Sequence, residues 1–451
     1  MEQQKYSRSV AISMVVANMI GTGVFTALGF QVGALPSPFV LLFLWFIGGI
    51  IALAGALSYA EVSTRIPGSG GEYNYLSKLY HPSLGFVSGW MSLIAGFSAP
   101  IAVVAIAIGN YFSPVIGIER IEWIAVSFIL IVAAIQLTGV KYGGAFQKYL
   151  TMYKIILIVV LIILPFVMGG YEPSGYSFMP QEGDLDLILS PAFAISLAWI
   201  MYAYSGWNAS TYIAGMMENP RRNLPFSLLM GAGIVTLLYV GLNAAFLHVA
   251  TFDEIGVKPP DFSDVDVGNV VASKLFGARI GTVFAALITF ALLSSLSAMM
   301  IAGPRVYEQI GKDYPVFTIL TISNRLGAPY LAILLQAAIA IVMVMTSSFE
   351  FVLKYIAVSL SVFSTLTVVG SMLLRFRKVD VDGSFRSPLF PLAPLVFLIA
   401  NLWFLYFMVS LEINEGKFGI IWFSLSTMAI GFVIYFLAGK FSAKKPSDNL
   451  E

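Results

Sequence analysis

The sequence ANMIGTGVF at residues 17–25 interrupts an apolar segment with glycine, threonine and glycine. A second apolar segment is interrupted by YAYSGWN at residues 202–208, with serine and glycine at its centre. A bilayer offers no water to satisfy free backbone groups, so a membrane helix is broken only where its backbone lines a cavity or binds something. Two interrupted segments in corresponding positions of two halves predict a solute site near the bilayer midplane.

Composition places the chain in the membrane. Of its 451 residues, 58% are hydrophobic and 11% are charged, against roughly 25% charged in ordinary soluble domains. The net charge of +1 gives no basic surface for nucleic acid. These residues include no cysteine and only two histidines, His81 and His248, which argues against disulfides, thiol chemistry and metal sites. No Walker A pattern is present, so we expect no ATP-driven activity and no cofactor.

Twelve apolar segments have the length of membrane-spanning helices, and we number them spans 1 to 12. They lie at about 9–35, 37–63, 83–112, 121–139, 148–168, 188–216, 225–250, 279–311, 328–346, 349–374, 388–410 and 417–439. Span 1 is too long for a cleavable signal peptide. The chain is therefore predicted to be an all-α membrane protein with twelve transmembrane helices.

The distribution of basic residues predicts the orientation. With the N-terminus inside, most of the 25 lysines and arginines fall on the inner side, as the positive-inside rule requires. Both termini, including the tail at 441–451, are therefore expected in the cytoplasm, with the protein in the cell membrane.

The two interruptions also predict an internal repeat. Spans 1–5 occupy residues 1–170 and spans 6–10 occupy residues 188–374, and each half opens with a broken helix. Because each half has an odd number of spans, the two halves have opposite orientations in the membrane. Spans 11 and 12, at 388–440, lie outside this five-plus-five inverted repeat.

A broken helix exposes N–H groups at one end and carbonyl groups at the other. The N–H end favours an anion, so a carboxylate is predicted at Gly21, Thr22 and Gly23. The freed carbonyls are suited to an ammonium, and they belong to Met19, Ile20, Tyr202, Ala203 and Ser205. Together these groups describe the site of an α-amino acid. The alternative explanation is that small residues merely allow close helix packing.

The side chains around Gly206 have different predicted roles. Tyr202 lies at the break and is expected to form part of a gate and of the side-chain pocket, whereas Trp207 is expected to be scaffold. Asn208 either hydrogen-bonds the substrate or ties the unwound segment together. No acidic residue is expected near either break.

Lys154 lies within span 5, and an intramembrane lysine is costly and usually functional. Its ammonium group is predicted to take the place of a coupling sodium ion, bridging span 1 carbonyls to Ser294 or Ser295. Burial lowers the pKa of a lysine, so binding and release of a proton during transport is a second possible role for Lys154. Snorkelling to the inner surface from the first turns of span 5 is the alternative.

The outer loop at about 251–278 is long and acidic. The apolar spacing over 267–276 predicts a short amphipathic helix. The loop is either a lid over the entrance or a plain solvated connection.

Several of these segments resemble one family. IGTGVF at 20–25 resembles the helix-one glycine motif of the amino acid–polyamine–organocation superfamily. YAYSGWN at 202–208, followed by ENPRRNLP at 218–225, is similar to the helix-six signature of its L-type amino acid transporter branch. PRVY at 304–307 and the stretch 147–154 match in position.

The resemblance implies the repeat fold, alternating access and sodium-independent amino acid transport. It assigns the carboxylate to Thr22 and Gly23, and it places Lys154 in the sodium position with Ser295 as its contact. It assigns the amine to the carbonyls of Met19, Tyr202 and Ser205.

The chain departs from the branch at several points. Ser205 replaces a frequent glycine, which narrows the pocket, and Ser297 replaces a frequent asparagine. Animal members pair with a second chain through a cysteine that is absent from these residues, so we expect no disulfide-linked partner.

The sequence thus predicts a secondary transporter of neutral L-amino acids, not an enzyme, which works as an exchanger or by proton coupling. The alternatives are a carrier of cationic amino acids or polyamines, which requires carboxylates in the cavity, and an amino acid sensor that does not transport.

Overall fold

The computed structural model describes residues 5–169, 171–256, 267–347, 349–378, 381–414, 416 and 418–440. These residues form α-helices joined by short connections, with one isolated β-bridge between Tyr6 and Met217. The α-helices are α1 (Arg8–Met19), α2 (Gly23–Gln31), α3 (Pro38–Arg65), α4 (Glu72–Leu79), α5 (Pro82–Met91), α6 (Ala99–Ile116), α7 (Ile121–Gln136), α8 (Gly139–Val167), α9 (Asp184–Ile188), α10 (Pro191–Ala203), α11 (Pro220–Val249), α12 (Phe252–Ile255), α13 (Val267–Phe276), α14 (Ala278–Asp313), α15 (Tyr330–Thr346), α16 (Phe349–Phe376), α17 (Leu392–Asn414) and α18 (Gly419–Lys440).

The all-helical, membrane-type fold is confirmed. Within the described residues, nine helical stretches are long and apolar enough to cross a bilayer, and α7, α10, α13 and α15 are shorter apolar helices. Each of the twelve predicted spans coincides with a helix or an interrupted helix pair. Twelve crossings and the inverted repeat stay predictions. The predicted amphipathic segment is the helix α13, while the acidic residues at 261–266 lie outside the described residues.

One predicted boundary is wrong in a way that matters. Span 5 was placed at 148–168, but α8 begins at Gly139. Only a short loop separates α7 from α8, and Gly139, with a φ of +89°, lies where that loop ends. The helix therefore begins several residues before its apolar run. Lys154 consequently lies in the middle of a 29-residue helix rather than in its first turns, and its side chain is only 1% exposed. It does not snorkel to the surface.

Both predicted interruptions are present. The first helix stops at Met19 and resumes at Gly23. The second stops at Ala203, passes through turns, and continues as a 3₁₀-helix over Ala209–Met216. We call residues 20–22 the first break and residues 204–208 the second break.

The two breaks lie against each other. α2 packs on α10, and α1 packs on the 3₁₀-helix. Gly206 has a φ of +91°, and a Cβ added there would lie 2.9 Å from the carbonyl carbon of Asn18. Only glycine meets both requirements without strain, so Gly206 allows the second break to pack against the last turn of α1, directly before the first break.

Candidate functional site

Buried donors surround the backbone of the first break. The Lys154 ammonium donates to the carbonyl of Ile20 at 2.5 Å and to the hydroxyl of Ser295 at 2.6 Å, and it lies 3.5 Å from the carbonyl of Ala17. The Ser295 hydroxyl donates in turn to Ile20 at 2.8 Å. An ammonium has three donors and no acceptor, so it satisfies carbonyl groups that the broken helix leaves free. The contact is made by Ser295, because Ser294 donates to Ala291 on its own helix.

Tyr239 on α11 was missed by the sequence analysis. Its buried hydroxyl lies 2.6 Å from the carbonyl oxygen of Met19 and 2.9 Å from that of Ala203. One phenol therefore joins the end of α1 to the end of α10. A tyrosine in an apolar helix is usually a packing residue. Nothing in the sequence around Tyr239 indicates that its hydroxyl contacts the ends of two other helices.

Several carbonyls predicted to bind an ammonium already have donors. Met19 accepts from Gly21 N–H at 2.9 Å and from Tyr239. Ile20 accepts from Lys154 and Ser295. Tyr202 accepts from the N–H groups of two following residues. A carbonyl oxygen has two lone pairs, so in this arrangement these three are filled.

The N-terminus of α2 has the character predicted for an anion site. Thr22 precedes the helix without capping it through its side chain. The N–H of Phe25 donates to the Thr22 carbonyl at 3.0 Å, which leaves the N–H groups of Gly23 and Val24 at the helix end for an anion. Gly21 has open space beside it, whereas Gly23 packs against Ala203, with the Tyr202 ring 3.7 Å from a Cβ built there. Tyr202 therefore lies over this helix end.

A cavity of about 90 Å³ lies beside the second break. One water needs roughly 10–15 Å³ by the same measure, so the space suits a small solute. Its predicted lining residues are Tyr202, Ser205, Gly206 and Asn208, while Asn18 is the contributor from the first helix. Gly21, Thr22 and Gly23 do not line it.

Polar groups from other helices complete the cavity wall. Ser361 and Ser364 on α16 and Asn401 on α17 line one side. Asn401 donates to the Ser361 carbonyl at 2.8 Å. Trp207 packs edge-on against Tyr59 at 4.7 Å, in keeping with a scaffold role.

The expectation that no acidic residue lies near either break is wrong. Glu72, the first residue of α4, lines the cavity and is 3% exposed. Asn208 donates to its Oε1 at 3.2 Å, Tyr59 to Oε1 at 2.5 Å and Tyr212 to Oε2 at 3.1 Å. Burial raises the pKa of the Glu72 carboxyl. The sequence signal that could have located Glu72 is the glycine pair directly before it, Gly70 and Gly71. Both glycines have positive φ values, and the turn that they form directs α4 back into the protein.

These features define a class of protein before any comparison. Two broken helices meet at midlength in an apolar bundle, with a buried ammonium behind one break and, beside the other, a cavity lined by both polar and apolar side chains. Among the described residues no metal-ligand cluster is found. This is the arrangement of a membrane carrier for a small polar solute.

Comparison with known proteins gives the family. The family model described as amino acid permease matches residues 7–438, so the chain belongs to that family. It is an amino acid transporter of the amino acid–polyamine–organocation superfamily, not an enzyme.

Three relatives illustrate the similarity. The serine/threonine exchanger SteT of Bacillus subtilis (strain 168) is 28% identical over 393 residues, which cover 86% of each chain. The b(0,+)-type amino acid transporter 1 of Mus musculus is 24% identical, covering 94% of this chain and 86% of its own. The large neutral amino acids transporter small subunit 2 of Homo sapiens is 26% identical, covering 97% and 80%.

Proposed function

We propose that this protein carries neutral L-amino acids across the cell membrane by alternating access without sodium, as an exchanger or with proton coupling. The observation that carries the proposal is the Lys154 ammonium, which bonds the carbonyl of Ile20 and the hydroxyl of Ser295. These two oxygens are of the kind that bind a cation at a broken helix. An ammonium between them takes the place of a sodium ion there.

The substrate site is proposed to lie between the two breaks. The substrate carboxylate binds beside Gly21, to the N–H groups of Thr22 and Gly23, after Tyr202 moves away from this helix end. The Gly21 N–H already donates to the Met19 carbonyl. The ammonium binds the carbonyls of the second break, at Ala203 and Ser205, since the other predicted carbonyls already accept two hydrogen bonds each.

The relatives support amino acid exchange. The name of SteT describes a serine/threonine exchanger, and that of the human relative describes large neutral amino acids. The small cavity and its serine and asparagine wall favour small or hydroxylated side chains over large ones.

One observation favours a second candidate, a carrier of cationic amino acids. The Glu72 carboxylate supplies the acidic group in the cavity that such a carrier requires. The neutral proposal remains preferred because Tyr59, Asn208 and Tyr212 already hydrogen-bond the Glu72 oxygens, so the carboxyl is engaged by the protein itself.

The topology is part of the proposal. Residues 1–170 and 188–374 form the two inverted repeats, both termini face the cytoplasm, and the protein lies in the plasma membrane. These residues contain no cysteine, so no partner chain is attached to them by a disulfide.

The test is uptake of radiolabelled amino acids into proteoliposomes loaded with unlabelled amino acid, with sodium or choline outside. We expect uptake of small neutral amino acids to be equal in both salts. If the protein is an exchanger, uptake stops when the internal amino acid is omitted. If it is a proton-coupled carrier, uptake stops when the pH gradient is removed. Uptake confined to lysine, arginine or polyamines would replace the neutral proposal with its alternative. No uptake of any amino acid under any gradient would overturn both.

A further inference from the structure

The Glu72 carboxyl is a buried acid without a cationic partner. Among the described residues, no lysine, arginine or histidine forms an ion pair with it. A buried charge that lacks an opposite charge is costly, and such a group usually becomes neutral instead. For a carboxylate, becoming neutral means binding a proton.

The groups facing Glu72 come from each element around it. Tyr59 on α3 and Tyr212 on the 3₁₀-helix donate to its oxygens, and Tyr75 on α4 lies nearby. α5 and α16 also pack against α4, and neither places a charged group on this carboxyl. Every titratable neighbour is therefore a tyrosine, which is neutral at physiological pH.

The same carboxyl connects three elements. Through Tyr59 it reaches α3, through Asn208 it reaches the second break, and through Tyr212 it reaches the middle of the 3₁₀-helix. Asn208 and Tyr212 also lie 3.2 Å apart, so the donors form one network. Any movement of the 3₁₀-helix away from α4 breaks this network and opens the carboxyl to water.

We propose that Glu72 is a proton-binding site of the transport cycle, which holds a proton while the substrate occupies the cavity and releases it when the 3₁₀-helix moves away and water reaches the carboxylate. The inference rests on the proposed function, because the substrate is the solute that fills the cavity. Glu72 forms part of the cavity wall. A substrate there keeps water away from the carboxyl, and exclusion of water favours the neutral acid.

The coupling is reciprocal. If substrate binding favours the protonated carboxyl, then protonation favours substrate binding by the same factor. Burial already raises the pKa of Glu72, which brings its proton binding toward physiological pH. Exposure to water returns the pKa toward its ordinary value and releases the proton.

The test is calorimetric titration of the purified full-length protein with L-serine or L-alanine, in pairs of buffers that differ in ionisation enthalpy. The difference in heat gives the number of protons bound per amino acid. In titrations over a series of pH values, we expect the wild type to take up a fraction of a proton on binding, and Glu72→Gln to take up none while still binding the amino acid. The matched control is Glu254→Gln on the outer loop, where the carboxylate is 40% exposed and paired with Lys274. It is expected to take up protons like the wild type.

A second variant keeps the proposal testable if Glu72→Gln does not fold. Tyr212→Phe removes a hydrogen bond that stabilises the charged carboxylate, so the pH midpoint of proton uptake rises. Proton uptake that is unchanged in Glu72→Gln overturns the inference, as does a wild type that binds amino acid without proton uptake at every pH. A wild type that binds no amino acid overturns the proposed function instead. Binding of arginine that depends on Glu72, without proton uptake, assigns the carboxylate to a cationic substrate.

Discussion

The two breaks solve the same problem with different chemistry. At the first break, free carbonyls are satisfied by donors from other helices: Lys154 on α8, Ser295 on α14 and Tyr239 on α11. At the second break, Asn208 donates to the Glu72 carboxyl, and Tyr204 donates to the carbonyl of Trp45. The first break is held by a buried ammonium, and the second is attached to a carboxyl that can be charged or neutral.

The two breaks also differ in how far their side chains are exposed, and the groups around the first break are the more deeply buried. Lys154 and Ser295 are fully buried, at 1% and 0% exposed, whereas Ser205, Gly206 and Asn208 line the cavity. Lys154, Ser295 and the Ile20 carbonyl already hydrogen-bond one another, so movement of the first break would break these buried bonds. The hydrogen bonds that Asn208 makes at the second break lie beside the cavity, and water or substrate can replace them. The first break is therefore the anchored side of the site, and the second break is the adaptable side.

The largest expected effect follows from removing the charge behind the first break. Lys154→Met keeps the length of the side chain but deletes two charge-assisted hydrogen bonds, each worth roughly 1.5–3 kcal/mol. We expect amino acid exchange in proteoliposomes to fall by about 100-fold or more, with a lower melting temperature. The control is Lys148→Met on the exposed surface of the same helix, which should exchange normally. Equal exchange in both variants would show that the first break is not anchored by this charge.

The next largest effect is expected at the contact between the breaks. Gly206→Ala forces a side chain into a left-handed backbone, at roughly 1–2 kcal/mol, and brings its Cβ to 2.9 Å from Asn18 backbone atoms. Exchange should fall about tenfold, with reduced thermal stability. Gly233→Ala in α11 is the control, since its Cβ would meet nothing within 4 Å. If Gly206→Ala behaved like Gly233→Ala, the two breaks would not be in contact.

An intermediate effect is expected from the phenol that links the breaks. Tyr239→Phe leaves the carbonyls of Met19 and Ala203 without that donor, and an unsatisfied buried acceptor costs about 1–3 kcal/mol. Exchange should fall several-fold to about tenfold. Tyr153→Phe makes the same chemical change at an exposed hydroxyl and should have little effect. A Tyr239→Phe variant with wild-type exchange and stability would mean that the breaks hold together without the phenol.

The smallest effect on stability is expected at Gly21. A Cβ there meets nothing within 4 Å, so Gly21→Ala should melt like the wild type. If the substrate carboxylate binds at this helix end, the added methyl group should still raise the KM of uptake several-fold. Gly33→Ala, also in open space, is the control for both measurements. An unchanged KM would remove Gly21 from the proposed carboxylate site.

Much of the helix arrangement followed from hydropathy, because long apolar segments in a chain with few charges have one stable form in lipid. The positions of both breaks were also predictable, because glycine and small polar residues interrupt otherwise apolar runs. Lys154 stood out for a similar reason, since a lysine in an apolar segment is costly unless it has partners.

The remaining parts of the site depend on contacts between distant residues. Tyr239 meets carbonyls more than two hundred positions earlier in the chain and also carbonyls in α10. Glu72 follows a loop in the sequence, and nothing local shows that α4 turns inward to meet Asn208 and Tyr212. The start of α8 was misplaced because glycine and polar residues hide the first turns of a helix that packing stabilises.

The sequence by itself determined an all-helical membrane protein, two broken helices and a buried lysine. Those properties are set by local composition and by the cost of exposing backbone or charge to lipid. The tertiary structure alone decided which oxygens receive the lysine ammonium, which phenol joins the breaks, and that a carboxyl lies beside the cavity. Hydrogen bonds over such distances depend on how the helices pack, and a single sequence does not record that packing.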